Sequence, residues 1–530
     1  MNGISGFGGC LVCGAAHDDR EHRPATSRRA FLAAAVGAPV AAAGGSLLLA
    51  SQAQAQAPAA DLPRGTYALE PDWTLAWTNG AFELVDGAAV VVRDGAVEEV
   101  RRGGAPTGNL PKRRLAGQIL MPGFISGHTH VAGGSATRGV IEGGRSYARP
   151  LELMEKLSDA DLDALTAYTL AELLLSGCTT QVEMSFNVAQ AKAYARIAQA
   201  WGVRGYVGGM VPGTARLFPI WFRRDDKVLT DSVPGTLQEI ADNLAFGRQL
   251  KAAGGLVQPM MSPHATDTHT PETMAAVLAA AKELGTGLHI HLSQSQRETD
   301  TVKRLWGVTP TQWLEKLGFF EMPVFGAHMT GLDPTVDLAI LKAHGGVYSH
   351  CPSAGGAGGG GGIQPWVEAL AAGVRTNIGI DTHSNDYLEN VKLAVILGRT
   401  RARMLQAGGA KDLKLPTIWS AVEAATVNAA DGLRRKDLGR IEAGARADFV
   451  SVDVTGFNVG VGAKPPEPLN NLLYAGGTSV RDVIVEGHYK VADGRLVVDD
   501  PAGVARKGAA VVQAMWKQLA EEKWFTPTAR

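Results

Sequence analysis

The stretch that decides the fold is Met121-Pro122-Gly123-Phe124-Ile125-Ser126-Gly127-His128-Thr129-His130. Its apolar run predicts a β-strand over residues 119–130 that ends in two histidines. Side chains alternate along a strand with a period of two, so His128 and His130 share one face. Two imidazoles on one face suit a divalent metal ion. A pair of structural histidines fits the same spacing, so the choice between a metal site and a structural pair depends on the rest of the chain.

Seven further short apolar runs follow, and helical patterns separate them. They predict strands at 178–183, 203–207, 256–261, 287–291, 324–328, 346–350 and 374–381. Between them lie helix signals such as the N-cap Ser158 and the first-turn Pro271. Strands that alternate with helices indicate an α/β protein, and eight of them predict a (β/α)₈ TIM barrel.

Polar residues stand at the ends of several of these strands. His264 follows the fourth strand, His291 ends the fifth, His328 ends the sixth and Asp381 ends the eighth. The active sites of such barrels lie at the C-terminal ends of the strands. We therefore expect these side chains to meet the first-strand histidines in one metal site. His289, two residues before His291, either points into the barrel or has a structural packing role, and the packing role is preferred.

Blocks of short alternating strands flank the barrel on both sides. Residues 82–100 and 438–498 alternate around turns such as Asp86-Gly87 and Asp493-Gly494. We expect one small β-sandwich-like module from both chain ends, 62–120 with 438–500, around a barrel at 121–437. Residues 501–530 have helical spacing, and this helix is expected to pack against the body or a partner subunit.

Residues 1–57 read as a targeting segment. Ser27-Arg28-Arg29-Ala30-Phe31-Leu32 resembles a twin-arginine export signal, and an Ala- and Gly-rich run follows it. The alternative is a membrane anchor, but Pro39 and several glycines make the run a poor span. We expect a periplasmic or secreted protein, exported by the twin-arginine route, with no stable membrane span after cleavage.

Composition excludes some partners. The 530 residues carry a net charge of −1, with 45% hydrophobic and 19% charged residues, a composition typical of globular proteins. The sequence has no basic stripe of the kind that binds nucleic acid. A small-molecule substrate and a homo-oligomer are expected. Of four cysteines, only Cys178 and Cys351 lie beyond the signal core. They are expected to be buried, and a disulfide between them is the alternative.

Together the motifs resemble the metal-dependent amidohydrolase superfamily, in the branch of cytosine deaminases, S-adenosylhomocysteine deaminases and atrazine chlorohydrolase. The likeness runs from about residue 81 to 498. It rests on the segments 121–130, Ser262-Pro263-His264-Ala265, 288–293, Gly326-Ala327-His328, Gly379-Ile380-Asp381, 425–428, 438–444 and 447–449. Their combination is specific to that family.

The resemblance implies a ligand set and catalytic roles. It implies one divalent ion, with zinc first and iron, manganese or cobalt as alternatives, because the fourth strand ends without the bridging lysine of two-metal members. Asp381 would also take a proton from the water on the ion, and His328 would polarise the electrophile. The implied metal ligands are His128, His130, His291 and Asp381.

Three further residues are candidate substrate contacts. The resemblance places His264 in the pocket, although a core histidine fits nearly as well. His383 follows the eighth strand, and Trp221 lies in an aromatic connection after the third strand. Plain packing is the alternative for Trp221. The glycine-rich segment 355–362 is either a mobile lid or a loop without that role.

Gln294 is the departure from the family pattern. Deaminases of this branch have a glutamate three residues after the fifth-strand histidine, and a carboxamide cannot titrate. We therefore expect an exported hydrolase of a C–N bond in a non-peptide amide, urea or carbamate, with Gln294 at the catalytic centre. The alternatives are a deaminase or dechlorinase of a heteroaromatic ring, and a non-catalytic metal-containing binder. Glu183 and Glu298 are possible substitutes, but local pairing for Glu183 and a solvent-facing position for Glu298 are preferred.

Overall fold

The computed structural model describes residues 62–139, 147–223, 225–357, 364–411 and 413–524. The expected signal segment and residues 358–363 of the glycine-rich loop lie outside these ranges. The strands are β1 (Tyr67–Thr78), β2 (Ala81–Asp86), β3 (Ala89–Arg93), β4 (Ala96–Arg101), β5 (Lys112–Pro122), β6 (Phe124–Thr129), β7 (Cys178–Ser185), β8 (Arg204–Val211), β9 (Val257–Pro259), β10 (Ser262–Pro263), β11 (Leu288–Leu292), β12 (Val324–His328), β13 (Val347–His350), β14 (Arg375–Ile378), β15 (Phe449–Asp453), β16 (Val480–Val485), β17 (His488–Ala492) and β18 (Arg495–Leu496).

Helices connect the strands and cover the outside of the barrel. They are α1 (Val131–Thr137), α2 (Ala148–Met154), α3 (Asp159–Leu175), α4 (Val188–Trp201), α5 (Thr214–Arg223), α6 (Asp226–Asp231), α7 (Val233–Ala253), α8 (Pro271–Leu284), α9 (Gln296–Trp306), α10 (Pro310–Lys316), α11 (Asp337–His344), α12 (Pro352–Ala357), α13 (Trp366–Ala372), α14 (Tyr387–Ala407), α15 (Ile418–Ala425), α16 (Val427–Gly432) and α17 (Pro501–Glu521). Ser158 caps α3 by accepting from the Asp161 amide, as its sequence signal predicts.

The barrel is built from β6 to β14. One parallel set pairs β6, β7 and β8 with the short β9 and β10, and a second pairs β11 to β14 in order. Isolated parallel bridges join the two sets at Thr129 with Asp381 and at Met261 with Leu288. The predicted TIM barrel is confirmed, with its fourth strand broken into β9 and β10.

Strands from both ends of the described chain form one nine-stranded sheet. β5 lies in its middle, parallel to β1 on one side and antiparallel to β15 on the other. The expected β-module from both flanks is therefore confirmed. The single strand expected over 119–130 was wrong, because the chain divides at Gly123 into β5 of the module and β6 of the barrel. A side chain at Gly123 would collide with Thr179, so only glycine fits this junction.

A buried ion-pair network joins the barrel to the module. Arg204 at the start of β8 donates from Nε to Asp448 Oδ2 over 2.8 Å, and it also pairs with Glu486 after β16. The side chains of Arg204 and Asp448 are only 4% and 5% exposed. The position of the module on the barrel thus depends on charges held out of water.

The last helix packs on the body, as its spacing predicts. Val511, Met515 and Leu519 of α17 are buried against Leu151 and Leu165 of the α2 and α3 region. Cys178 and Cys351 are buried free thiols, which excludes a disulfide between them. Among the described residues, no helix has both the length and the apolar character that crossing a membrane requires.

Candidate metal centre

Five buried side chains converge at the C-terminal mouth of the barrel. Asp381 Oδ1 lies 3.6 Å from His130 Nε2, and its Oδ2 lies 3.8 Å from His328 Nε2. His291 Nε2 is 3.3 Å from His130 Nε2. His128 completes the group, and its ligating atom lies within 4.8 Å of those of His130 and His291, and of those of His328 and Asp381. The predicted ligands are thus brought together.

Two of these imidazoles are oriented by backbone carbonyls. His130 Nδ1 is 2.6 Å from the Met184 carbonyl oxygen, and His291 Nδ1 is 2.8 Å from that of His264. A carbonyl oxygen only accepts hydrogen bonds, so both Nδ1 atoms carry the proton. Each Nε2 therefore turns an unprotonated lone pair toward the centre. This is how metal-binding histidines are held in proteins.

His128 is oriented by another histidine. Its Nδ1 lies 2.7 Å from Nε2 of His289 on β11. Its own Nε2 is buried, with no hydrogen-bond partner among the described residues. An unpaired buried nitrogen beside two lone pairs and a carboxylate is the donor set that a divalent ion such as zinc takes. The residues present therefore fit the metal that the sequence implies.

Burial favours the neutral form of these histidines. Desolvation lowers the pKa of His130 to about 3 and that of His291 to about 4. Burial also lowers the pKa of His128 and of His328 well below the usual range, and the neighbouring histidines add to the effect. Neutral imidazoles are the form that binds metal, so little proton release is needed on binding.

Two of the site residues have unusual backbone conformations. His328 has φ 74° and Asp381 has φ 58°, both in the left-handed region that non-glycine residues rarely adopt. Each stands just where a barrel strand ends. Residues held in this region store free energy, and such strain gathers at functional sites.

The candidate substrate residues lie around this centre. The Trp221 ring contacts the His264 ring edge-on at 5.6 Å, and His264 lies 4.9 Å from the His291 ring. His383 Nε2 is 3.3 Å from the hydroxyl of Tyr147. His383 also lines a cavity of about 900 Å³ that extends between α3 and α14. The substrate roles of His264, His383 and Trp221 stay predictions.

The two candidate substitute carboxylates have local partners. Glu183 is buried and accepts hydrogen bonds from the Val131 amide and the Thr129 hydroxyl, in agreement with local pairing. The expected solvent-facing position of Glu298 was wrong. Glu298 is 2% exposed and accepts from the amides of Gln294 at 2.7 Å and Thr266 at 3.2 Å. Glu298 stands in the first turn of α9, and its two contacts bridge the loops after the fourth and fifth strands.

A family comparison agrees with this geometry. The family model described as "Amidohydrolase family" matches residues 119–492. The chain belongs to the amidohydrolase family. This amidohydrolase is accordingly a hydrolase of carbon–nitrogen bonds other than peptide bonds, as the sequence predicts.

Individual relatives of this amidohydrolase carry names of two kinds. It is 27% identical over 432 residues to 5-methylthioadenosine/S-adenosylhomocysteine deaminase of Pelotomaculum thermopropionicum, covering 78% of this chain and 90% of that one. It is 29% identical to 5'-deoxyadenosine deaminase of Methanopyrus kandleri, covering 72% and 83%. Atrazine chlorohydrolase TrzN from Arthrobacter aurescens, solved with zinc, is similar in structure at TM-score 0.70 and 19% identity, covering 84% and 100%. The last likeness supports the fold.

Proposed function

We propose that this amidohydrolase is a deaminase that replaces the amino group of a heteroaromatic ring, of the aminopurine type, by a hydroxyl. The observation that carries this is the buried set of three histidines and Asp381, with His328 beside it, in a chain that aligns along most of its length with two deaminases. The sequence predicts hydrolysis of an amide, urea or carbamate ahead of this reaction. The relatives favour the second.

The ligands for one divalent ion would be His128, His130, His291 and Asp381, with zinc the first choice. Such an ion, when bound, lowers the pKa of a coordinated water from about 15.7 toward about 7. Asp381 Oδ2 faces His328 across 3.8 Å and is placed to hold a proton on its way to the leaving amine. Because the centre is buried, hydrogen bonds and charges within it act more strongly than in water.

One observation favours a second function, hydrolysis of an amide, urea or carbamate. Gln294 stands three residues after His291, where a titrating carboxylate would help protonate a ring nitrogen. Its backbone amide is held by Glu298, so that carboxylate is already engaged in the loop. The Gln294 carboxamide can donate a hydrogen bond to a substrate carbonyl, which is enough for a substrate that needs no proton transfer at this position.

The test begins with metal analysis of the purified full chain. Zinc-loaded protein is then assayed with adenosine and its 5'-modified analogues, aminopyrimidines, chlorotriazines, ureas, anilides and carbamates. Ammonia from the aminopurines supports the deaminase, and an amine from ureas or anilides with no ammonia from aminopurines contradicts it. Chloride release identifies a dechlorinase, and bound metal with ligand affinity but no turnover identifies a binding protein.

We also propose that residues 1–57 direct export through the twin-arginine route to the periplasm or medium. The support is the Arg28-Arg29 pair with the apolar run that follows it. A reporter fused after residue 57 should leave the cytoplasm, and Arg28→Lys with Arg29→Lys should retain it. Equal export of both reporters would contradict the proposal. The expected homo-oligomer stays a prediction, which light scattering of the purified chain checks.

A further inference from the structure

Gln364 lies behind His328, at the end of the loop that follows β13. Its side chain is 3% exposed and its amide has three close contacts. Oε1 lies 2.7 Å from the Cys351 backbone nitrogen and 3.1 Å from His350 Nδ1. Nε2 lies 3.2 Å from His328 Nδ1. The strand-seven loop therefore touches the sixth-strand histidine through one carboxamide.

These contacts determine which way the amide faces. A backbone N–H can only donate, so the atom beside Cys351 must be the amide oxygen. The amide nitrogen then faces His328, and it too can only donate. His328 Nδ1 must therefore accept this hydrogen bond, which leaves it without a proton. Because Nδ1 is unprotonated, the proton of the His328 ring is on Nε2.

This tautomer is the opposite of that of the ligand histidines. His130 and His291 carry the proton on Nδ1 and turn a lone pair to the centre. His328 turns an N–H to the same centre, and its Nε2 is buried without a hydrogen-bond partner among the described residues. A protonated nitrogen has no lone pair for a metal. It can donate to an oxygen or nitrogen of a substrate.

We propose that Gln364 is a positioning residue that holds His328 as an Nε2–H donor to the substrate and keeps it out of the metal ligand set. The proposal rests on the proposed hydrolysis at this centre, because the donor acts on the group that water attacks. Gln364 needs no contact with the substrate for this role. It acts through the tautomer of one ring.

The tautomer can be read directly by NMR of the full chain labelled with ring-¹⁵N histidine. Long-range ¹H–¹⁵N correlations identify the protonated ring nitrogen, and His328→Gln assigns the signal. We expect protonated Nε2 in the wild type, both zinc-loaded and metal-free. A proton on Nδ1 of His328 in the wild type would overturn the proposal. This measurement needs no substrate, so it stands even if every substrate in the panel fails.

Gln364→Met removes the donor while keeping the length of the side chain. We expect His328 to lose its single tautomer and kcat to fall by about 10²-fold, as when one preorganised donor is lost, with KM nearly unchanged. The matched control is Gln181→Met, because Gln181 is also buried but bonds Tyr194 and the Cys178 carbonyl. It should lower Tm without changing kcat or the His328 signal. A Gln364→Met protein with wild-type kcat and signal contradicts the role.

Gln364→Glu gives a second readout, the pH profile. A protonated carboxyl can donate to His328 Nδ1, whereas a carboxylate cannot. The ratio of variant to wild-type kcat should therefore fall as pH rises through the pKa of the new carboxyl. A ratio that stays constant over the stable pH range would mean that donation to Nδ1 does not matter.

Discussion

His128 Nδ1 lies 2.7 Å from His289 Nε2, so one histidine outside the ligand set determines how a ligand histidine faces the centre. Both rings are fully buried. No carbonyl is needed for His128, because His289 takes the place that Met184 and His264 carbonyls take for the other two. The orientation of the first ligand therefore depends on β11, across the barrel.

His289→Phe should weaken metal binding. The variant keeps a ring of similar size but cannot bond His128 Nδ1, and loss of such a partner typically costs about 10- to 100-fold in metal affinity. Competition with a chromophoric chelator measures the affinity. The control is His344→Phe, an exposed histidine on α11 that pairs with Glu315. Equal affinity of both variants would show that His289 has only a packing role.

Metal removal should abolish activity and lower stability together. A ligand present at 100 times its Kd stabilises the folded state by about 2.7 kcal/mol, and a chelator removes this. Zinc should restore both Tm and turnover to the wild type. The His291→Ala variant should bind less than one zinc ion per chain. Added zinc should raise its Tm and its turnover only slightly. Full activity of His291→Ala would contradict the ligand set.

Gln294→Glu should change the balance of activities. The new carboxylate can carry a proton to a ring nitrogen, a kind of help worth about 10²- to 10⁴-fold. Deamination of aminopurines should rise relative to hydrolysis of ureas and anilides, measured as the ratio of kcat/KM values. The matched control is Gln296→Glu, an exposed position two residues on. If every activity is unchanged, Gln294 does not set the substrate.

Glu298→Gln should flatten the dependence of stability on pH. Burial, with the Asp267 carboxylate adding to it, raises the pKa of Glu298 above its usual value. A raised carboxyl pKa contributes stability that is full below the unfolded value of about 4.3 and is lost as pH rises above it. The wild type should therefore lose more Tm than the variant between pH 5 and 8. Exposed Glu272→Gln on α8 is the control, and a wild-type slope in Glu298→Gln would contradict the assignment.

Asp448→Ala should destabilise the protein strongly. It leaves Arg204 buried with its best partner removed, which typically costs about 3–5 kcal/mol. The double change Arg204→Met with Asp448→Leu should recover part of the loss. The exposed pair of Arg248 with Glu283 is the control, where Arg248→Ala should cost at most about 1 kcal/mol. Urea unfolding measures each, and equal losses would contradict the role of the network.

Much of the barrel and of its centre is predictable because the signals are local. Side chains alternate along a strand with a period of two, so a His-x-His pattern at a strand end predicts that both imidazoles lie on one face. Strand ends of a parallel barrel meet at one face, which is why the sequence alone places His291, His328 and Asp381 at one centre.

The supporting residues were not predictable in the same way. His289 shares a face with His291, but its contact with His128 depends on the opposite strand. Gln364 lies in a loop, and no pattern in the sequence of that loop predicts its contact with His328. The prediction that Glu298 faces solvent was wrong, because its side chain accepts hydrogen bonds from backbone amides of two separate loops. Such partners are determined by tertiary distances, which no local pattern encodes.

The central place of β5 in the nine-stranded sheet has a consequence for synthesis. β5 ends at Pro122, whereas its antiparallel neighbour β15 begins only at Phe449, beyond the whole barrel. At about 5–20 residues per second, that neighbour leaves the ribosome on the order of half a minute later. During this interval the nascent chain carries an open strand edge, a ready template for mispairing. Chaperone occupancy and cotranslational aggregation should therefore peak before the last hundred or so residues emerge.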